Sequence, residues 1–94
     1  MFIAHLVIDD STALKLGRRA ISQHEVHELR RNGAIALRNP RPRVEGSRLL
    51  VGPTDGGRLL TVVIEPDLLD EAIWHVRSAW DTGGWERRAY HRRN

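Results

Sequence analysis

The sequence predicts one α+β domain, in which a small antiparallel sheet carries two helices from the amino-terminal half and a third helix at the carboxyl end. Two observations predict this class. A capping box precedes an amphipathic segment, and an Asp-Gly turn separates two β-rich segments, so helical and hairpin signals occupy different parts of the chain. The length of 94 residues predicts a single domain over residues 1–94, because two independent cores need a longer chain.

The amino-terminal residues predict a strand followed by a short helix. Residues 2–8 are rich in Ile, Leu and Val, which is typical of a strand. Asp10 or Ser11 can accept hydrogen bonds from the first free amides of a helix over about residues 12–19. The residues predicted to share the apolar stripe of this helix are Leu14, Gly17 and Ile21.

The clearest helix signal lies in the next segment. Ser22 followed by Glu25 forms a capping box and predicts a helix over residues 23–31. Asn32 and Gly33 end this helix, because both residues tolerate the left-handed conformation that closes helices.

The second half predicts most of the sheet. An Asp-Gly turn joins the predicted strands over residues 47–52 and 58–65 into a hairpin, because this dipeptide adopts positive φ at low cost. Both faces of the strand over residues 58–65 are nearly apolar, which predicts a central position in the sheet. Two prolines predict an irregular loop over residues 39–46. The predicted strands are residues 34–38, 47–52, 58–65 and 71–80.

Alternation along the last strand separates a core face from a face with functional groups. The residues predicted to point towards the core are Ala72, Trp74, Val76 and Ser78, and those on the other face are Ile73, His75, Arg77 and Ala79. After a Gly-Gly joint, residues 85–92 predict the terminal helix.

The composition favours a polyanion or an acidic protein as partner. The net charge is +3, and arginine supplies all the basic residues except Lys15. This bias has two alternative explanations, arginine-rich codon usage and selection for phosphate binding. The absence of cysteine excludes disulfides and thiolate metal sites, and His24 and His27 lack an evident third ligand. With no sign of a secretion signal or membrane span, we expect a cytoplasmic protein.

The order of these elements and three local strings resemble the BrnT group of RelE-like bacterial toxins. The resemblance extends from about Lys15 to Tyr90. Its strings are the spacing Arg48, Gly52, Gly57 and Arg58 around the hairpin, residues 74–79, and residues 86–90. It implies a RelE-like fold and a ribonuclease toxin of a type II toxin–antitoxin system, which cleaves RNA, free or on the ribosome, with no cofactor and no metal. It also implies a cognate antitoxin and no membrane partner. Operator DNA would be bound only through this antitoxin.

Metal-free cleavage of RNA needs a proton acceptor, a proton donor and cations that stabilise the charged phosphate. His75 suits the first two roles, because histidine titrates near neutral pH, and Arg77 can hold a phosphate with two parallel donors. Their backbones lie about 7 Å apart on one strand face. Arg58 from the neighbouring strand and Glu86 and Tyr90, one helical turn apart, complete the predicted catalytic site.

Further cations are predicted to bind nucleic acid or an acidic antitoxin segment. They are Lys15, Arg19, Arg48, Arg87 and Arg88. Trp80 and Trp85 can stack on bases, although aromatic residues at a domain edge more often fill a core or a partner interface, and we favour the interface.

Two other functions agree with the same residues. One is a non-nucleolytic toxin that blocks a protein target such as gyrase, and the other is an accessory domain that only binds nucleic acid. Neither needs an acid–base pair. A histidine and an arginine on a solvent-facing sheet surface are also common without catalysis, and Glu86 in a first helical turn is favoured by the helix dipole alone.

Overall fold

The computed structural model describes residues 2–93. Within them the chain forms an α+β fold with one sheet, as predicted. The elements in chain order are β1 (His5–Val7), α1 (Asp10–Gly17), α2 (Gln23–Arg31), β2 (Ile35–Arg38), β3 (Arg48–Pro53), β4 (Leu59–Pro66), β5 (Ile73–Asp81) and α3 (Gly84–Arg93).

The sheet has the strand order β1-β5-β4-β3-β2, so β4 is central as its two apolar faces predicted. Strands β2 to β5 pair antiparallel, whereas β1 pairs parallel to β5. The sheet is therefore mixed, and the prediction of an antiparallel sheet was wrong for β1. This strand leads into two helices instead of a hairpin, and a parallel neighbour requires such a long connection.

Apolar side chains cover both faces of the sheet. On one face, α1 and α2 contribute Leu16, Val26 and Leu29 to a cluster that includes Leu60 and Ile64 of β4. On the opposite face a smaller cluster joins α3 to β2 and β3 through Leu37, Leu49, Val51 and Ala89. The sheet therefore lies between helices α1 and α2 on one side and helix α3 on the other. Residues from several elements line a cavity on the α3 face.

The first two helices are each capped by the side chain of the residue just before the helix. Asp9 caps α1, because its Oδ1 accepts from the Thr12 amide at 2.8 Å, so the predicted caps Asp10 and Ser11 were wrong. Helix α2 has the predicted bounds, and Ser22 and Glu25 form both hydrogen bonds of the capping box. These contacts set where each helix begins.

The buried stripe of α1 also differs from the prediction. Thr12 and Leu16 face the sheet, whereas Leu14 is 70% exposed. The prediction chose the wrong phase of the helix, because Leu14 and Leu16 cannot both face the same neighbour at 3.6 residues per turn. Ile21, which lies beyond the end of α1, is buried as predicted.

Strand β5 contains a bulge at Arg77. Val76 is opposite Ile64 and Ser78 is opposite Val63, so the pairing skips one residue. A bulge leaves its extra residue outside the regular pairs and bends the strand. Arg77 therefore projects from the sheet where the regular pairing of β4 and β5 is interrupted.

Beyond the bulge, the two faces of β5 are exchanged relative to the prediction. Ala79 packs in the cluster under α1 and α2 together with Trp74 and Val76. Ser78 lines a cavity on the α3 face, and Trp80 packs against the cluster on that face. The predicted assignments of Ser78 and Ala79 were wrong, because an extra residue inverts every later position of an alternating strand.

Gly52 in β3 predicts a measurable steric effect. A Cβ atom at this position would lie 2.7 Å from the Cβ and 2.9 Å from the Cα of Ala34, and the Cα cannot move without the backbone. We expect Gly52→Ala to lower the free energy of unfolding by about 1–3 kcal/mol in urea titrations. Gly83→Ala is the control, since a Cβ there meets nothing within 4 Å. Equal stability of the two variants would contradict the close packing of β3 against Ala34.

Candidate nucleic-acid interface

A cavity of about 720 Å³ opens on the α3 face of the sheet. Strands β3, β4 and β5, helices α1 and α3 and the loop after β2 contribute to its walls. Its charged residues are the four cations Lys15, Arg41, Arg43 and Arg77 and the two carboxylates Glu65 and Glu86. Trp80 and Trp85 supply aromatic surface. The excess of cations and the two indole rings suit an anionic ligand that carries aromatic groups.

A second cavity of about 530 Å³ shares part of this wall. Arg43, Glu65 and Arg77 line both cavities, and the second one adds Asp67 and His75. His75 and Arg77 therefore line the same cavity, which agrees with their predicted common face. The two cavities together form a groove along β5, to which we refer below as the β5 groove.

Glu65 organises the cations of the β5 groove. It is 4% exposed, and its Oε1 accepts from Nε of Arg77 at 2.8 Å and from Nη2 of Arg43 at 2.8 Å. Burial raises the pKa of Glu65, but the hydrogen bonds from Arg43 and Arg77 outweigh it and hold the pKa below its ordinary value. Glu65 is therefore an anion that orients two guanidinium groups.

Arg77 remains accessible while it is held in place. Its side chain is 37% exposed, and its Nη1 lies 3.7 Å from Oδ2 of Asp9, at the start of α1. Glu65 and Asp9 thus border the guanidinium, which keeps an open surface towards the groove. An arginine fixed in this way can bind a phosphate without losing much further side-chain freedom.

The buried carboxylate makes the stability of the fold dependent on acid. Because the folded pKa of Glu65 is below its ordinary value of 4.5, the stabilisation by its anion is present above that pH and is lost as the pH falls below it. We expect the free energy of unfolding, measured in urea, to fall more steeply below about pH 4.5 in the unchanged chain than in Glu65→Gln. Glu71→Gln, at an exposed glutamate, is the control. Equal slopes for the unchanged chain and Glu65→Gln would contradict this role.

His75 is oriented by a carboxylate in the β4–β5 turn. Its Nε2 lies 2.8 Å from Oδ1 of Asp67, whose Oδ2 accepts from the amides of Leu69 and Asp70 at 3.1 Å each. The hydrogen bond with His75, followed by these amides, lowers the pKa of Asp67. The imidazole is 27% exposed. A carboxylate that holds an imidazole in one orientation is a common arrangement for proton transfer.

The structure does not bring Arg58 together with Arg77. Arg58 lines neither cavity of the β5 groove and binds Asp81 through Nε at 2.6 Å and Nη2 at 3.1 Å. The hydrogen bond with Asp81 raises the pKa of Arg58. Its guanidinium also donates to the carbonyls of Arg19 and Ala20 in the α1–α2 turn, where Ala20 has a φ of 56°. These contacts attach the turn to the sheet and identify a structural role for Arg58.

Lys15 of α1 and Arg19 of the α1–α2 turn complete the edge of β5. Pairing with β1 covers only residues 73–75, and beyond it Nζ of Lys15 donates to the carbonyl of Arg77 and Nη1 of Arg19 to that of Ala79. Arg19 was predicted to bind nucleic acid or an acidic antitoxin segment, whereas in the structure its side chain donates to this strand edge. Lys15 lines the groove and also holds the backbone of the bulge.

The predicted residues of α3 occupy different surroundings. Glu86 lines the β5 groove, is 7% exposed, and accepts from Nε1 of Trp80 at 3.0 Å. Tyr90 packs against the apolar cluster on the α3 face, with its ring centroid 5.6 Å from that of His91. Of the two predicted catalytic residues of this helix, Glu86 is therefore in the groove and Tyr90 packs on the core.

The remaining predicted RNA-binding arginines lie outside the wall of the groove. Arg87 donates to the carbonyl of Thr82 at 3.3 Å, and Arg88 is exposed on α3. Arg48 donates to the carbonyls of Gly46 and Ser47 and lines a separate cavity. Arg48 lies beside the loop after β2 and Arg87 and Arg88 lie on α3, and none of the three lines the groove.

Sequence reasoning missed Arg41, Arg43 and Glu65. Arg41 and Arg43 flank a proline in the loop after β2, and this loop was predicted only as irregular. Glu65 is the one charged residue of β4 and stands next to the last residue of the strand. A single charge at the end of such a strand signals a buried partner, since an unpaired buried carboxylate is costly.

Clusters of metal-ligating side chains and long apolar helices are both absent from residues 2–93. Within this range no group of three or more His, Cys, Asp or Glu side chains is arranged to hold a metal ion. His24 lies 3.2 Å from Glu28, one turn away on α2. No helix among these residues has the length and apolar character needed to cross a bilayer.

Comparisons with known proteins do not assign this chain to a family. No model of a known protein family matches the chain, and no curated protein matches its sequence significantly. The resemblance to the BrnT group therefore stays a prediction.

Proposed function

We propose that the chain is a ribonuclease toxin of a type II toxin–antitoxin system that acts in the cytoplasm and cleaves RNA in the β5 groove without a metal. The observation that supports cleavage is that Arg77, Arg43 and Lys15 share the groove with the oriented imidazole of His75. Cations for the phosphate and a group for proton transfer are thus within one surface.

The proposed reaction assigns one task to each group. Arg77 and Arg43, oriented by Glu65, bind the scissile phosphate and stabilise its additional charge. The carboxylate of Glu86 takes the proton of the 2′-hydroxyl, and the 2′-oxygen forms a bond to phosphorus. As the bond to the 5′-oxygen breaks, protonated His75 donates a proton to that oxygen. The products are a 2′,3′-cyclic phosphate and a 5′-hydroxyl end.

The partners in this proposal have a different basis. The cognate antitoxin, operator DNA bound through it and the ribosome are implied by the resemblance to BrnT toxins alone. The excess of cations in the β5 groove agrees with an acidic antitoxin segment as well as with RNA.

A second candidate function is binding without cleavage, as in a non-nucleolytic toxin or an accessory domain. The observation that favours it is that each predicted catalytic cation is paired with a carboxylate: Arg77 with Glu65, His75 with Asp67 and Arg58 with Asp81. Paired side chains of this kind also occur where they only stabilise a fold.

Incubation of the purified chain with RNA, free and on ribosomes, separates the two functions. The proposal expects cleavage that leaves 2′,3′-cyclic phosphate ends, detected by end-specific ligation and sequencing, and cleavage of the free RNA should persist in excess EDTA. Intact RNA in both preparations, with binding that weakens steeply as salt rises, would reject cleavage and support the second function.

A further inference from the structure

Trp85 is the tryptophan of this chain that the core does not use. Trp74 is 7% exposed within one apolar cluster, and Trp80 packs against the other. Trp85, at the start of α3, is 41% exposed and belongs to neither cluster. A large exposed aromatic ring that does not stabilise the core is a frequent feature of binding surfaces.

Trp85 lines two cavities. One is the 720 Å³ cavity of the β5 groove, and the other is a cavity of about 610 Å³ on the loop after β2. Asn39 and Pro40 also line both. Each volume lies within the range of about 300–1,000 Å³ that small ligands occupy in proteins. Trp85 therefore borders two spaces, each large enough for a small ligand such as a nucleotide.

The loop that faces Trp85 is organised before any ligand binds. The side-chain amide of Asn39 donates to Oγ of Ser47 at 3.0 Å, and its Oδ1 accepts from the amide of Arg41 at 3.0 Å. Pro40 and Pro42 restrict the backbone between these contacts. The 610 Å³ cavity also includes Arg38, so cations line both of the cavities that Trp85 borders.

The geometry points to Trp85 as a stacking residue between two nucleotide subsites, so that the ligand is single-stranded RNA spanning both cavities. This inference rests on the proposed function for the choice of RNA. Cations on both sides of an exposed ring match a chain of alternating phosphates and bases. A duplex does not fit, because the faces of its bases are covered by their stacked neighbours. An acidic peptide matches the charge but leaves the indole without an aromatic partner.

Binding of labelled oligonucleotides tests this role independently of cleavage. The probe is a fluorescent 2′-O-methyl RNA of about eight nucleotides, which lacks the free hydroxyl needed for cleavage. We expect Trp85→Ala to weaken its binding about tenfold and Trp85→Phe to retain most of the affinity. An abasic oligomer of the same length should bind equally to the unchanged chain and to Trp85→Ala. Leu14→Ala is the control, since this leucine is 70% exposed and lines neither cavity.

Three results would overturn the inference: equal affinity of Trp85→Ala and the unchanged chain for the RNA, an equal loss for the abasic oligomer, or the same dependence on Trp85 with a glutamate-rich peptide. Thermal unfolding verifies that the variants are folded. Cleavage assays separate the two proposals. Binding that depends on Trp85 without cleavage would reject the nuclease and retain the stacking role of Trp85. Cleavage together with unchanged affinity in Trp85→Ala would retain the nuclease and reject the stacking role.

Discussion

Arg77→Ala is expected to slow RNA cleavage by about 10²- to 10³-fold while leaving the fold intact. The loss follows from the accessible guanidinium in the β5 groove, which would stabilise charge that develops on the phosphate. The fold should survive, because Glu65 keeps its hydrogen bonds with Arg43 when Arg77 is removed. Initial rates on a fluorogenic RNA measure the first effect, and urea unfolding measures the second.

A matched arginine variant separates this role from the general charge of the protein. Arg30→Ala also removes one exposed cation, whose Nη2 donates to the carbonyl of Ile3, and Arg30 lines neither cavity of the β5 groove. We expect its cleavage rate to equal that of the unchanged chain. If Arg77→Ala and Arg30→Ala cleave equally fast, Arg77 has no part in the reaction.

Leu29→Ala is expected to lower the free energy of unfolding by about 2–5 kcal/mol. Leu29 lies on α2, is 0% exposed, and packs in the cluster with Leu60 and Ile64 of the central strand. Its removal deletes buried apolar surface and leaves a cavity that the surrounding strands can only partly fill. Since domains of this size are stable by about 5–15 kcal/mol, the midpoint of urea unfolding should shift strongly.

Leu69→Ala makes the same chemical change on the surface. Leu69 is 97% exposed in the β4–β5 turn, so we expect a change within about 0.5 kcal/mol. Similar midpoints for Leu29→Ala and Leu69→Ala would show that α2 does not pack on the sheet as described.

Much of the secondary structure was predictable because its signals act over short distances. The capping box of Ser22 and Glu25 predicted the bounds of α2, and the Asp-Gly turn predicted the β3–β4 hairpin, in which the Thr54 amide donates to the carbonyl of Arg58 at 2.7 Å. The apolar faces of β4 predicted its central position. Capping, turn chemistry and alternation involve residues within a few positions of one another, so the amino-acid order is sufficient to predict them.

The arrangement of the candidate site was decided by contacts between distant parts of the chain. The bulge at Arg77 exchanged the faces of the last residues of β5, and Glu65 drew Arg43 from the loop after β2 into the groove. Arg58 instead paired with Asp81 and left the predicted site. These partners are 12 to 23 positions apart, as in Arg77–Glu65 and Arg58–Asp81, and meet only after the strands have paired in one register. Local patterns do not specify that register at a bulge, because one extra residue turns every later side chain to the opposite face.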